Sequence, residues 1–274
     1  MIRKNMETEK SLDVSQIPVV IFCGGRGTRL KEETEIIPKP LVRVGGKPIL
    51  WHIMKIYYAQ GFRKFVLLIG YKGELIKEYF CRYHLHQCDF TIRPKDKRRE
   101  IIYHSLPAED WEISFIDTGA DTQTGARLKG AEKLLKGRLF MLTYGDGVAD
   151  VDLSRLLKVH NQEKKMITIT GVFPPSRFGE IIMEGNSVVG FWEKPQVQSG
   201  YINGGFFAVN PEIFDHLAGD DSLNFEKDVL SRLAKEGNMA ACPHNGYWQC
   251  MDTVRDMELL NEVWQSGAAP WKVW

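Results

Sequence analysis

The stretch from Val19 to Leu30, VVIFCGGRGTRL, holds the first residues whose types and spacing could do chemistry. An apolar run stops at Gly24 and Gly25, and Gly27, Thr28 and Arg29 follow. Glycines at a strand end carry no side chains and leave backbone N–H groups free to face an anion. Thr28 adds a hydroxyl and Arg29 a fork of guanidinium donors, both suited to phosphate oxygens. A plain strand-to-loop turn accounts equally well for a lone G-G-x-G. Further on, Lys39 stands between Pro38 and Pro40, which present it on a stiff, extended segment. It reads as a placed cation, with a solvated lysine as the alternative. As an exposed side chain it is expected to contribute little to folding, so its removal should leave stability nearly unchanged. Asp146, in TYGDGVAD, closes a strand-like run, with Gly145 and Gly147 keeping neighbouring side chains away. Taken alone, a turn-forming or N-cap aspartate is the favoured reading.

Two common phosphate loops are excluded. In the dinucleotide fingerprint G-x-G-x-x-G the glycines would be Gly25 and Gly27, but the third position is Leu30, which blocks the close helix–strand packing that glycine permits. Nor does a carboxylate close a second strand about 20 residues later, where the sequence reads LVRVGGKP. A P-loop needs a lysine directly after its second glycine, and there is none. A hydride-transfer enzyme is therefore disfavoured.

The elements that must position these residues alternate. PVVIFC (Pro18–Cys23) is a buried-strand pattern; KPILWHIMKIYYAQG is a helix with Pro48 in its first turn and Gly61 as its left-handed stop. Ile49, Leu50, Ile53, Met54 and Tyr57 form its apolar face. KFVLLIG, EISFIDTG and RLFMLTYGDG are further strands. Helices are expected over GELIKEYFCRYHLH, from about Ala126 to Lys136, and over VDLSRLLKVHNQEK. Strand–helix–strand order with near-continuous apolar strands predicts an α/β fold: a Rossmann-like, mainly parallel sheet with helices on both faces. A β-rich portion follows in ITITGVF, EIIME, SVVGFWEKP and YINGGFFAVN. Helices return at PEIFDHL, FEKDVLSRLAKEG and RDMELLNEVWQSG. The basic cluster RPKDKRRE (Arg93–Glu100) reads as a solvated loop, with a polyanion site as the lesser alternative. Ligands of open α/β sheets bind beyond the carboxyl ends of strands. Three such ends carry unusual residues: CGGRGTR, IDTGADTQTGARLK and TYGDGVAD.

At 274 residues and 43% hydrophobic, the chain can bury a full core. A net charge of +1 supplies no global field toward nucleic acid or a membrane surface, so any anion site must be local. The five cysteines lack C-x-x-C spacing, which argues against a disulfide framework and structural zinc and fits reduced thiols in a cytoplasmic setting. No apolar run reaches the roughly 18 residues of a membrane helix. Residues 1–16 read as a polar extension and 17–274 as one domain, with an α/β part over about 17–150 and a later, β-rich part over about 165–255. His84 and His86 read as helix-end surface residues. The tryptophans read as core and interface, Trp248 being the one that could face a ligand.

The combination GGRGTRL, PKPLV, GGKPIL, DTGADTQTGARLK, TYGDGVAD, INGGFF and WQCMDTVRD resembles the sugar-phosphate nucleotidyltransferases, from about residue 17 to the C-terminus. The resemblance implies the nucleotide-diphospho-sugar transferase fold, a β-rich sugar-binding portion, and in-line transfer with CTP and glucose 1-phosphate as substrates. Another nucleoside triphosphate, another sugar phosphate, or a non-catalytic sensor of the same fold are the alternatives. It implies that Gly24, Gly25, Gly27 and Thr28 cradle a triphosphate, that Arg29 neutralises leaving pyrophosphate, and that Lys39 holds the phosphate at the reacting centre. Asp146 and Asp252 would bind Mg²⁺. Thr122, Arg127 and Gly145 would contact the nucleotide, with a water-facing helix residue as the alternative for Arg127. Glu193, Lys194, Asn203 and Gly204 would bind the sugar phosphate, with a β-bulge as the alternative at Asn203–Gly204. It also implies a homo-oligomer, a hexamer being one option, with the C-terminal PWKVW compatible with its interface.

Overall fold

The computed structural model describes residues 13–27, 30, 34–95, 98–106, 108–174, 180–184, 187–192 and 200–274. Thr28, Arg29, Glu193 and Lys194 lie outside the described residues. Strands β1 (Val19–Cys23), β2 (Lys64–Ile69), β3 (Glu112–Asp117) and β4 (Phe140–Tyr144) pair in parallel in the order β3-β2-β1-β4. β1 is central, Val19 lying beside Phe65 on one side and Met141 on the other. Strands β5 (Ile167–Val172), β6 (Phe207–Val209) and β7 (Met239–His244) extend the sheet past β4. β6 is antiparallel between β4 and β5, and β7 runs parallel to β5. The two-residue strand Ile202–Asn203 also pairs with β5. Of the β-rich portion, the strands of ITITGVF and YINGGFFAVN thus continue the same sheet, while Glu180–Glu184 and Ser187–Trp192 pair with each other as a separate antiparallel hairpin.

Because successive side chains point to opposite faces, β1 feeds two cores. Val19, Ile21 and Cys23 join one cluster with helix α1 (Ile49–Ala59), while Val20 and Phe22 join the other. Both faces are therefore dry, which is why the strands read as continuous apolar runs. Pro48 caps α1 from outside its first turn. At the other end Gly61 has φ +98°, its N–H bonds Tyr58 O, and the Phe62 N–H bonds Tyr57 O. This is a Schellman closure, as the glycine predicts.

Elsewhere the helices are more broken than the sequence suggests. The second expected helix is α2 (Gly73–Cys81) followed by a separate turn, Tyr83–Gln87. The expected Ala126–Lys136 helix is α3 (Thr124–Gly130) and a short piece, Glu132–Leu135. Helices α4 (Leu153–Glu163) and α5 (Val254–Gln265) form as expected. PEIFDHL is a 3₁₀ turn, Pro211–His216, and FEKDVL opens as a π-helix, Phe225–Leu230, before α-helical Ser231–Lys235. The solvated loop expected over Arg93–Glu100 is instead part of a hairpin, Phe90–Lys95 with Arg98–Tyr103. A ribbon open to water needs no apolar alternation, so its strands carry no periodic signal. The C-terminal aromatics, expected to suit an interface, turn inward: Trp271 is fully buried, and Trp264 lies 4.7 Å from His52 on α1. This explains why α1 is buried almost all round. Among the described residues no helix is long and apolar enough to cross a membrane.

Candidate functional site

The cleft opens at the carboxyl ends of β1 and β4, where the parallel crossovers leave room. After Cys23 the chain runs across the sheet end. Gly24 is packed so tightly that a β-carbon would meet the Arg127 guanidinium at 2.2 Å, whereas one on Gly25 would touch nothing within 4 Å. Gly27 has φ +62° and lies against the Lys39 side chain. Gly145, after β4, approaches the Phe22 carbonyl so closely that a β-carbon would sit 2.6 Å from it. The glycines therefore do different work: Gly24 and Gly145 admit neighbours, Gly27 supplies a turn, and Gly25 lines open space.

Lys39 begins a short 3₁₀ turn after Pro38. Its Nζ donates to Asp146 Oδ2 at 2.6 Å and to Asp252 Oδ1 at 2.7 Å. A small antiparallel ribbon, Gly147–Ala149 with Trp248–Cys250, places both acids: Asp146 enters one strand and Asp252 leaves the other. The Met251 N–H bonds the Asp146 carbonyl, and the Asp252 N–H bonds Asp256, whose carboxylate closes the capping box of α5 with Thr253. Burial opposes the charge on Lys39, but the Asp146 carboxylate, its hydrogen bonds and Asp252 outweigh it and hold the ammonium above its usual pKa. Two thiols flank the acids. Burial, then Asp146, pushes Cys23 well up, and burial, then Asp252 and Asp146, pushes Cys250 up to about 12. Both stay protonated at neutral pH and are poor nucleophiles.

Lys39, Asp146, Asp252, Gly25, Gly27 and Gly145 share one cavity of about 360 Å³ with Tyr144 and Thr124. A second cavity of about 290 Å³ holds Gly24, Gly25, Thr122 and Arg127, together with Arg26 and Asp121. Phe22, Gly25 and Thr124 line both cavities, so the two are one continuous cleft. Arg127 is not the water-facing helix residue left open by the sequence: it is 4% exposed. Its guanidinium donates to Thr118 Oγ1 and to the carbonyls of Gly119, Gly24 and Ala120, tying the glycine loop to the loop after β3. Asn203 and Gly204 do not line either cavity. Asn203 reaches the site through a bond from its Nδ2 to Tyr144 Oη, while Gly204 packs on Val172 and accepts a bond from Trp248 Nε1.

Sequence reasoning missed Tyr144, Thr124 and Glu226. Glu226, on the π-helix, accepts from both Thr124 Oγ1 and Tyr144 Oη at 2.8 Å. Tyr144 stood one residue from a glycine already singled out, but FEKDV looks like any amphipathic helix start.

Among the described residues no cluster of three or more His, Cys, Asp or Glu converges on a point. Two carboxylate oxygens do converge on one cationic atom, Lys39 Nζ. Magnesium keeps several waters and takes one or two carboxylates plus substrate phosphates, so this donor set fits it.

A family profile described as "Nucleotidyl transferase" matches residues 18–262. The chain is 45% identical over 256 residues to a protein of Salmonella typhi named glucose-1-phosphate cytidylyltransferase, covering 93% of this chain and 98% of that one. A protein of the same name from Salmonella typhimurium matches to the same extent. Among solved structures, HddC from Yersinia pseudotuberculosis superposes with a TM-score of 0.66 at 24% identity, covering 90% of this chain and 99% of that one, a likeness of fold.

Proposed function

Since the chain belongs to the nucleotidyl transferase family, we propose that it transfers the cytidylyl group of CTP to α-D-glucose 1-phosphate, forming CDP-glucose and pyrophosphate. It is a nucleotidyltransferase, and the relatives 45% identical to it are named for this reaction. The observation that carries the reading is Lys39 held between two carboxylates on the floor of a glycine-lined cleft.

In this reaction an oxygen of the sugar phosphate forms a bond to the α-phosphorus of CTP as the bond to the bridging oxygen of pyrophosphate breaks. The protein's work is to bring two polyanions together, align them and offset their charge. The loop at Gly24, Gly25 and Gly27 offers backbone N–H groups to the triphosphate, and Thr28 and Arg29 extend that contact toward the leaving pyrophosphate. Lys39 turns from the carboxylates to the phosphate at the reacting centre. Thr122 and Arg127 form the nucleotide wall, Arg127 by fixing the loops that face the base. Glu193 and Lys194 contact the sugar phosphate, and Asn203 supports that side of the cleft through its bond to Tyr144. Residues 17–150 thus handle the nucleotide and 165–255 the sugar phosphate. Asp146 and Asp252 would hold Mg²⁺, which when bound supplies positive charge to the phosphate oxygens. The active form is a homo-oligomer, read by light scattering of the purified protein.

Pyrophosphate release with glucose 1-phosphate and each of CTP, UTP, dTTP, ATP and GTP tests the reaction. CTP should be preferred; a higher rate with UTP or dTTP would reassign the base. Asp146→Asn should shift the magnesium dependence to higher concentration, and an unchanged response would remove Asp146 from the metal site.

A further inference from the structure

We propose that Glu226 is a positioning residue that fixes the Tyr144 hydroxyl as a hydrogen-bond acceptor for one hydroxyl of the sugar phosphate, an inference that rests on the reaction proposed above. The ring of Tyr144 is clamped, stacked on Phe22 at 5.9 Å between centroids and edge-on to Phe207 at 5.8 Å. Only its hydroxyl rotor is left to set. Two groups contact that hydroxyl: Glu226 Oε1 at 2.8 Å and Asn203 Nδ2 at 3.0 Å. The Asn203 amide is oriented by its other end, where Oδ1 accepts from the Gly205 N–H at 2.9 Å. Its Nδ2 therefore donates to Tyr144. The Tyr144 proton must then go to Glu226, because an amide nitrogen accepts nothing.

With its donor and one acceptor position taken, the Tyr144 oxygen retains acceptor capacity. Tyr144 lines the cavity of Lys39, Asp146 and Asp252, where the reaction proposed above joins the two substrates, and its partner Asn203 is read there as a sugar-phosphate residue, so the group it faces is assigned to the sugar side of the reaction. The second carboxylate oxygen of Glu226 accepts from Thr124 Oγ1, which in turn accepts from the Phe225 N–H at 3.0 Å. One carboxylate thus sets two cleft-lining hydroxyls on different elements. It sits in a π-helix, a wide turn found often at functional sites.

The test uses purified full-length protein with Glu226→Gln, Glu226→Ala and Tyr144→Phe. Kinetics are measured on glucose 1-phosphate and its four monodeoxy analogues at saturating CTP. The wild type should lose about tenfold or more in kcat/KM on one analogue, the size of one hydrogen bond lost to a substrate hydroxyl. That discrimination should vanish in all three variants. In Glu226→Gln the amide can donate to Tyr144 and reverse its rotor, so the KM for glucose 1-phosphate should rise about tenfold while the KM for CTP and the melting temperature stay near wild type. Equal KM values in Glu226→Gln and wild type, or a fall in melting temperature with the analogue discrimination intact, would overturn the proposal. A wild type that releases no pyrophosphate from CTP and glucose 1-phosphate would overturn both the reaction and this inference. An active wild type with indifferent variants would overturn the inference alone.

Discussion

Lys39 is where two carboxylates meet, and its side chain is only 14% exposed against 28% and 21% for Asp146 and Asp252. The expectation that its removal leaves stability unchanged treated it as a surface lysine, and the geometry reverses that. Lys39→Ala would leave two half-buried carboxylates without the ammonium they share. Breaking a fully buried pair costs about 3–5 kcal/mol, and solvent screening at this exposure reduces the figure to about 1–3 kcal/mol. We expect a lower melting temperature as well as a loss of turnover by orders of magnitude. Millimolar Mg²⁺ should recover part of the thermal loss, because a divalent ion offsets the same carboxylate charge. An unchanged melting temperature in metal-free buffer would show that the three groups are not coupled. Arg127 belongs to the same scale. Arg127→Lys keeps the charge but cannot serve four acceptors spread over two loops. Thermal denaturation should show a loss of about 2–4 kcal/mol, the range for breaking a buried polar network.

Between elements, the strand ends decide the site, and two glycines separate packing from binding. A methyl on Gly145 would meet the Phe22 carbonyl, which is backbone and cannot swing away, so Gly145→Ala must part β1 from β4. A loss of about 1–3 kcal/mol is expected, as for overpacked cores. Gly25→Ala adds a methyl to open cleft, so its melting temperature should match wild type while the KM for CTP rises. If both variants melt alike, the loop is not packed as described. Gly25 was visible in the sequence as a phosphate-loop residue and Gly145 as a spacer beside Asp146, yet nothing there distinguished the one that admits a carbonyl from the one that faces the cleft. The parallel strands were legible because burial on both faces writes a continuous apolar run. β7 was not, since Met239–His244 contains two alanines and Pro243, a composition tolerated at an edge and silent as a strand signal. The ribbon that carries the two aspartates was also illegible. Its strands are three residues each, and their partners are a hundred residues apart. Asp252 came from resemblance to a family, and Glu226 came from neither source.

Over the whole molecule, the chain's last turn closes the face that its first helix opens. Trp264, Trp271 and Trp274 pack around His52 on α1, with ring centroids 4.7, 6.2 and 6.2 Å away. His52 is fully buried; its Nε2 lies 2.8 Å from the Val44 carbonyl, and the Trp271 indole N–H donates to its Nδ1. That pattern specifies a neutral ring with the proton on Nε2, since Nδ1 must accept. Burial, partly offset by the Val44 bond and reinforced by Lys47, lowers its pKa from 6.5 to about 4. In the unfolded chain His52 takes up a proton below pH 6.5; in the folded protein it does so only below about 4. Between those values the unfolded state binds more protons, so stability falls as pH falls, by about 1.4 kcal/mol per pH unit at most from this group. Above pH 6.5 His52 contributes no pH dependence, and below about 4 its contribution is complete. Burial lowers the pKa of His160 too, so the wild-type slope contains both groups. His52→Gln isolates one of them, keeping a donor and an acceptor without a titrating ring. Urea midpoints at pH 7.5 and pH 5 should fall less in His52→Gln than in wild type. Equal falls would mean that the aromatic closure admits water and that the C-terminal segment does not seal this face.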